Sequence, residues 1–424
     1  MEQYATRSLL RNKIFKISTL LLLVRLGLYI PVPGVELDIF AQGQAINPMF
    51  GFAKTLVGNS FLGVGSLGIL PYINASIVMQ LITPLIPKLE KLQKEEGELG
   101  RQQISRYTRY LTFFWSLLFS IGIAIFLIKP VTFGWSLKLG FEIVVSLTVG
   151  SILSMWFAEL ITEEGLGNGS SLIIFINIIG GIPNNLRSLQ QFGLTDEPFF
   201  TKFSSVLSAL PIYFGIVLLI IFFQDAYKKI SIVSSKQISQ LESLREQSSR
   251  ISDNSFIPLK LNQGGIMPLV FSSTVAVVLI YPMQILLGSL TFLPAAKLTA
   301  LITAYSFFLN FILVIFFSCF SVSLVLKPQD MAENLGKMAY SIPGIRQGKE
   351  TTKYLAKVTN RLAFIGGLFL AFLAFFPILV GNVLQFSLFK NFTSLLILIG
   401  VITDTTSQIN GYLVSTRYED FKKS

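Results

Sequence analysis

Runs such as "FILVIFFSCFSVSLVL" and "LAFIGGLFLAFLAFFPILV" recur along this 424-residue chain. Each is close to the roughly 20 apolar residues that a helix needs to cross a bilayer. In lipid every backbone polar group must be satisfied internally, so only helices and closed barrels can span, and runs this long are helical rather than strand-like. The composition agrees: 13% of residues are charged and 52% hydrophobic, against roughly 25% charged in a soluble domain. The chain is read as an all-α membrane protein.

Ten spans can be drawn, at about Ile14–Pro31, Ile69–Leu85, Tyr107–Leu127, Leu139–Ile161, Ser170–Gln190, Val206–Phe223, Ile266–Leu287, Leu301–Leu326, Leu362–Val380 and Thr393–Leu413. Lys and Arg decide their orientation, because cytoplasmic connections accumulate positive charge. Of the 34 basic residues, 26 fall in one alternating set of segments and 7 in the other, with Arg25 inside the first span. Both termini therefore face the synthesising compartment, and the span count must be even. The polar start "MEQYATRSLLRNK" does not resemble a signal peptide.

The same distribution argues against reading the net charge of +11 as nucleic-acid binding, since no aromatic-plus-basic pattern is visible. With no His and a single Cys (Cys319), a Cys/His zinc site, a Ser-His-Asp triad and an intramolecular disulfide are excluded, and no cofactor or metal is expected. "GVGSLG" (Gly63–Gly68) fits a dinucleotide fingerprint but lacks its strand, and "GIRQGKET" (Gly344–Thr351) is one residue short of a P-loop. Four charges interrupt the apolar runs: Arg25, Glu142, Glu159 and Asp404. The first three fall near span ends, where snorkelling suffices. Asp404 stands by itself in the last span, and no proton relay is visible.

The connections are more informative. "ELITEEGLGNGSS" (Glu159–Ser171) is acidic on the basic side, and its glycines demand a tight turn. "INPMFGFAKTLVGNSFLGVGSLGIL" is too broken to cross a bilayer; it is either a re-entrant half-helix or an ordinary outer loop. "SIPGIRQGKETTKYLAKV" (Ser341–Val358) is a cationic island between two oily runs, which the positive-inside rule explains in charge but not in pattern.

"EEGELGRQQISRYTRYLT" (Glu95–Thr112), "GLGNGSSLIIF" (Gly165–Phe175), "LKLNQGGIMPLVFSS" (Leu259–Ser273) and "KPQDMAENLGKMAYSIPGIRQGKETTKYLAKVTNRL" (Lys327–Leu362) resemble the SecY family of protein-export channels, as do "GILPYINASIVMQLI" and "TSLLILIGVITD". The similarity runs nearly end to end. It implies two inverted five-span halves, 1–193 and 194–424, around an hourglass pore, with a plug half-helix at about 52–62. It matches a ring of apolar pore residues to Ile73, Ile77, Ile174, Ile178, Val270 and Ile397. Such a ring offers ions no replacement for hydration water yet can stretch around a threaded chain.

The resemblance further implies a lateral gate between the second and seventh spans, where Asn74, Gln80, Thr83, Asn262 and Gln263 supply polar contacts. It also implies inward loops at about 224–262 and 327–361 that receive a motor or ribosome, with Arg346, Lys349 and Lys353 as docking residues. Implied partners are a SecE-like clamp subunit, the SecA motor, signal-sequence-bearing polypeptides and membrane lipids, with a ribosome and a SecG-like subunit as further candidates. The chain departs from the family pattern at Glu164, where bacterial relatives often carry Arg, and in the weakly basic stretch Ser234–Ser255. Abundant Phe, Ile, Asn and Lys suggest an AT-rich genome; together with a start that does not resemble a targeting peptide, this favours a plastid-encoded thylakoid protein over a bacterial plasma-membrane one. The expected function is passage of unfolded polypeptides across the membrane and sideways release of hydrophobic segments, without enzymatic activity. The rivals are a secondary transporter, which needs a polar midplane site, and a passive assembly scaffold.

Overall fold

A computed structural model describes residues 2–33, 63–94, 97–129, 135–165, 167–193, 211, 214–234, 256–262, 264–265, 267–288, 295–384 and 392–423. The helices are α1 (Glu2–Gly27), α2 (Leu70–Ile82), α3 (Pro87–Lys94), α4 (Gly97–Ile123), α5 (Leu137–Glu163), α6 (Gly169–Gly193), α7 (Phe214–Asp225), α8 (Met267–Gly288), α9 (Ala295–Val325), α10 (Pro328–Lys337), α11 (Lys349–Leu384) and α12 (Phe392–Lys423). A π-helical turn, Ala124–Ile128, extends α4. Among the described residues each expected span meets one of these helices; the sixth, Val206–Phe223, does so over Phe214–Phe223, most of its earlier part lying outside the described residues.

Among the described residues, three stretches are individually long and apolar enough to cross a membrane: Leu137–Glu163, Ala304–Lys337 and Lys349–Phe376. The pair Leu70–Ile82 and Pro87–Gln93, bent by 105°, makes a fourth if counted as one span. The bend follows from the sequence, since Pro84 and Pro87 bracket the break. Leu22, Phe141, Phe222, Phe308 and Phe364 are exposed on their helices. In water such a surface would aggregate; in a bilayer it is the lipid face.

The chain divides into two compact units, Met1–Thr195 with Val401–Ser424, and Asp196–Gly400. In the first, α4 carries buried hydroxyl residues at every fourth position: Thr108, Thr112, Ser116 and Ser120. Thr112 donates to the Thr108 carbonyl (2.7 Å) and Ser120 to that of Ser116 (2.6 Å), so the polar atoms are satisfied inside their own helix. Small, self-satisfied residues let neighbouring helices approach closely without a hydrophobic drive. Ser120 also shares a hydrogen bond with Thr148 of α5, at 3.0 Å. Beside this seam Val32, Leu67, Ala124, Ile128, Ile143 and Leu147 form one apolar cluster.

In the second unit α9 packs between α8 and α11. Phe271 meets Phe317 edge-on at 5.9 Å, and Ser318 donates to the Ala363 carbonyl at 3.2 Å. The fold is helical, with two short antiparallel ribbons that no span pattern foretold. β1 (Tyr227–Ser231) pairs with β3 (Phe256–Lys260), and β2 (Val233–Ser234) with β4 (Tyr340–Ser341). The ribbons join α10 and the start of α11 around a core of Ile230, Leu259, Ala332, Leu335, Ile342, Leu355, Val358 and Leu362. The polar connections thus fold into a small packed subdomain.

Candidate channel and docking sites

Ile73 is buried on α2, and Ile77, one turn further along the same face, is half-buried. Ile174 and Ile178 repeat that spacing on α6 and are half-buried. These four lie in the first unit. Between the α6 isoleucines, Asn177 reaches the chain just ahead of α2, where a Cβ on Gly68 would lie 3.8 Å from its amide nitrogen. In the second unit Val270 is buried near the start of α8 and Ile397 is half-buried in α12. The plug segment, about 52–62, lies outside the described residues, as do Gln263 and the stretch 235–255.

Two of the polar residues matched to the gate spend their hydrogen bonds within their own helix. Thr83 donates to the Met79 carbonyl at 2.6 Å, and Gln80 to Ser76 at 3.2 Å. Asn74 is buried and Asn262 half-buried.

Two charges within the apolar runs do not behave as snorkelling predicts. Glu159, with a side chain only 11% exposed, forms an ion pair with Arg109 at 2.9 Å and accepts from Ser105 at 3.4 Å. The Arg109–Glu159 pair joins α4 to α5, two neighbouring spans. Arg25 lies against α6 at Gly180, with its guanidinium 5.6 Å from the Tyr29 ring centre. Asp404 is exposed and makes contacts, so it is not isolated as expected.

The acidic turn after α5 has a local explanation. Glu164 accepts from Lys16 at 3.1 Å, and its backbone carbonyl accepts from Lys13 at 2.9 Å. Lys13 also stands 4.9 Å over the ring of Tyr412. Glu164 therefore anchors α1 to the turn leading into α6, inside the first unit. Gly165 there has φ +76, the left-handed conformation that a tight turn demands.

The cationic island is ordered. Tyr340 and Ser341 pair with β2, Ile342 is buried in the subdomain core, and the chain then turns through Gly344 (φ +78) and Gly348 (φ +97) into α11. Arg346 is exposed at that tip. Its carbonyl accepts from Thr351 at 2.8 Å, and Gln347 donates to the Tyr340 carbonyl at 3.4 Å. On α11, Lys349, Lys353, Lys357 and Arg361 are exposed at every fourth position. The opposite face buries Thr351, Leu355, Val358 and Leu362. A cationic ladder on one face of an anchored helix is thus set beside Arg346. Lys357 and Arg361 extend the docking set expected from sequence.

The β1–β3 ribbon corrects one expectation outright. Its exposed face carries Tyr227 and Lys229 from one strand and Phe256, Pro258 and Lys260 from the other. The Tyr227 and Phe256 rings are parallel within 8° at 6.4 Å, and Lys229 stands 4.8 Å over Phe256. This is the aromatic-plus-basic surface that seemed to be missing. Its residues lie almost thirty positions apart in the chain, and only strand pairing unites them.

A family model described as SecY matches residues 64–406. The chain belongs to the SecY family. A protein translocase subunit SecY from Emiliania huxleyi is 75% identical over 423 residues, covering 100% of both chains. Among solved structures, that of a protein-conducting channel shares the fold with a TM-score of 0.62 at 16% identity, covering 93% of this chain and 92% of the other. Sec61 in the canine ribosome–channel complex of the endoplasmic reticulum gives a TM-score of 0.58 at 14% identity, over 93% and 92% of the two chains. SecY-family membership makes this chain an integral membrane channel protein and places its helices in the protein-conducting fold.

Proposed function

We infer that this chain is the central channel subunit of a SecYE-type translocon, passing unfolded polypeptides across the membrane and releasing hydrophobic segments sideways into lipid. The observation that carries this reading is the end-to-end 75% identity with a protein translocase subunit. Ile73, Ile77, Ile174, Ile178, Val270 and Ile397 form the constriction, and the plug lies at about 52–62. The two halves, 1–193 and 194–424, enclose the pore. A ring of branched apolar side chains gates by dewetting and bends around a passing chain without bonding to it.

The channel itself has no enzymatic activity. Transport energy comes from a SecA motor or from peptide synthesis, delivered at Arg346 and the ladder that includes Lys349 and Lys353. An exposed cation row on a packed subdomain suits an anionic surface, and ribosomal RNA is one such surface. Relatedness to a solved ribosome–channel complex supports a ribosome as partner. A SecE-like subunit clamps the halves, and a SecG-like subunit is a further partner. Both termini face the stroma. Kinship with the subunit of a plastid-bearing alga favours a plastid-encoded thylakoid protein over a bacterial plasma-membrane one.

Reconstitution with the SecE-like partner tests the assignment. Ile73→Asn or Ile397→Asn is expected to leak ions and to admit precursors with defective signal sequences. Wild-type conductance in both variants would overturn the pore assignment. Arg346→Glu is expected to impair motor- or ribosome-dependent transport while the channel still assembles; full transport by this variant would remove Arg346 from the docking site.

A further inference from the structure

We propose that Arg25 is a positioning residue for α6: its guanidinium, wedged into the notch at Gly180, sets where that helix places Ile174 and Ile178. The placement of those two residues in the pore rests on the function proposed above. The Arg25 contact with α6 stands independently of that function.

A permanent cation within an apolar span is costly unless it finds water or partners, so it rarely persists there without a role. Arg25 lies in the last turn of α1, where the carbonyl end of the helix favours a cation. From there a long side chain could reach towards the interface. Instead its guanidinium lies against α6 at Gly180. A methyl group added at Gly180 would coincide with the Arg25 guanidinium. Glycine is therefore required at 180 for this contact, and the arginine occupies the space that any other residue would fill.

No carboxylate partner neutralises this cation among the ion pairs of the described residues. Its resolved companion is the Tyr29 ring, 5.6 Å away, a weak attraction at an exposed aromatic. The contact with α6 is consequently one of shape as much as of charge. One turn before Gly180, on a neighbouring strip of α6, Asn177 keeps a buried Oδ1 with no hydrogen-bond partner. That unpaired buried acceptor lies on the helix against which Arg25 packs, and it marks packing of α6 that is not at its tightest. Asn177 lies between Ile174 and Ile178 in sequence, and it also touches the start of α2 near Gly68. A shift of α6 along this contact would move both isoleucines relative to Ile73 and Ile77, which lie in the same unit.

Five variant channels test the inference: Gly180→Ala, Arg25→Ala, Arg25→Lys, the Gly180→Ala/Arg25→Ala double variant, and Ile174→Asn as the pore control, each reconstituted with the SecE-like partner. Resting ion conductance and transport of a signal-defective precursor are the readouts, normalised to assembled channel. Gly180→Ala is expected to raise both several-fold, because the new methyl expels the guanidinium from the notch and α6 loses the wedge that positions it. The double variant is expected to leak no more than Arg25→Ala, since removing the arginine relieves the clash. Arg25→Lys keeps the charge but not the plane, and is expected to behave like Arg25→Ala. A tight Gly180→Ala channel, or effects that simply multiply in the double variant, would overturn the proposal. Should Gly180→Ala fail to assemble, wild-type sealing and selection by Arg25→Ala would overturn it equally. If Ile174→Asn is also silent, the pore assignment fails; if it leaks while the Gly180 and Arg25 variants stay tight, only the positioning role is lost.

Discussion

The Thr351 hydroxyl donates to the carbonyl oxygen of Arg346 at 2.8 Å, tying the arginine at the loop tip to the first turn of α11. Thr351 is 4% exposed, so water does not readily replace that bond. Thr351→Val keeps the shape and removes the donor, at a cost of about 1 kcal/mol. Arg346 then samples more orientations, and affinity for the docking partner is expected to fall roughly five-fold. Titration of nanodisc-embedded channel with SecA or ribosomes measures this, and Thr351→Ser is expected to retain wild-type binding. Equal affinity for the valine variant would show that the tip needs no such anchor.

Glu164 holds Lys16 through its carboxylate and Lys13 through its backbone carbonyl. Lys16 is well exposed, and such pairs contribute at most about 1 kcal/mol. Glu164→Gln is therefore expected to change thermal stability in detergent very little. Glu164→Lys is different, because it sets a third cation beside two others. It is expected to lower the melting temperature by a few degrees, with recovery in the Lys16→Glu/Glu164→Lys double variant. The deficit should shrink as salt rises, because exposed charges are screened. A salt-independent loss would assign the effect to backbone distortion instead.

The membrane class and the helical content were legible because lipid demands long apolar runs, and each expected span meets a helix among the described residues. Both Glu159–Ser171 and Ser341–Val358 stood out as unusual, and both turned out to be anchored. What remained hidden depends on pairing at a distance. Snorkelling was the natural expectation for Glu159, since nothing in a linear chain brings Arg109 to it across fifty residues. Likewise Lys229 is an ordinary basic-loop residue until β3 supplies Phe256. The hydroxyl ladder of α4 could have been found from its four-residue spacing. The ring residues rest on family resemblance, because an isoleucine facing a pore and one facing a neighbouring helix have the same periodicity.

At the first residue of α6, a Cβ on Gly169 would fall on the Ala158 backbone carbonyl. Backbone cannot rotate aside as a side chain can, so Gly169→Ala must push α6 from α5. The Gly169 amide would also leave the Thr162 hydroxyl that accepts from it at 2.9 Å. Overpacking of this kind costs about 1–3 kcal/mol. Thermal unfolding of the purified channel is expected to register that loss. Unchanged stability would mean that the turn through Gly165 absorbs the displacement.

On the β1–β3 ribbon, Lys229 is held over Phe256, and the parallel Tyr227 ring extends the platform. A cation fixed this way has lost its side-chain freedom before any partner arrives, so less entropy remains to be lost on binding. If the partner is ribosomal RNA, removing one phosphate contact lowers the slope of log affinity against log salt by about 1. Lys229→Gln is expected to show that slope change. Phe256→Leu keeps the charge while freeing it, and should weaken binding with the slope intact. The two substitutions thus separate charge from preorganisation in one titration series. Equal slopes for wild type and Lys229→Gln would remove this face from the RNA contact and leave the α11 ladder to carry it.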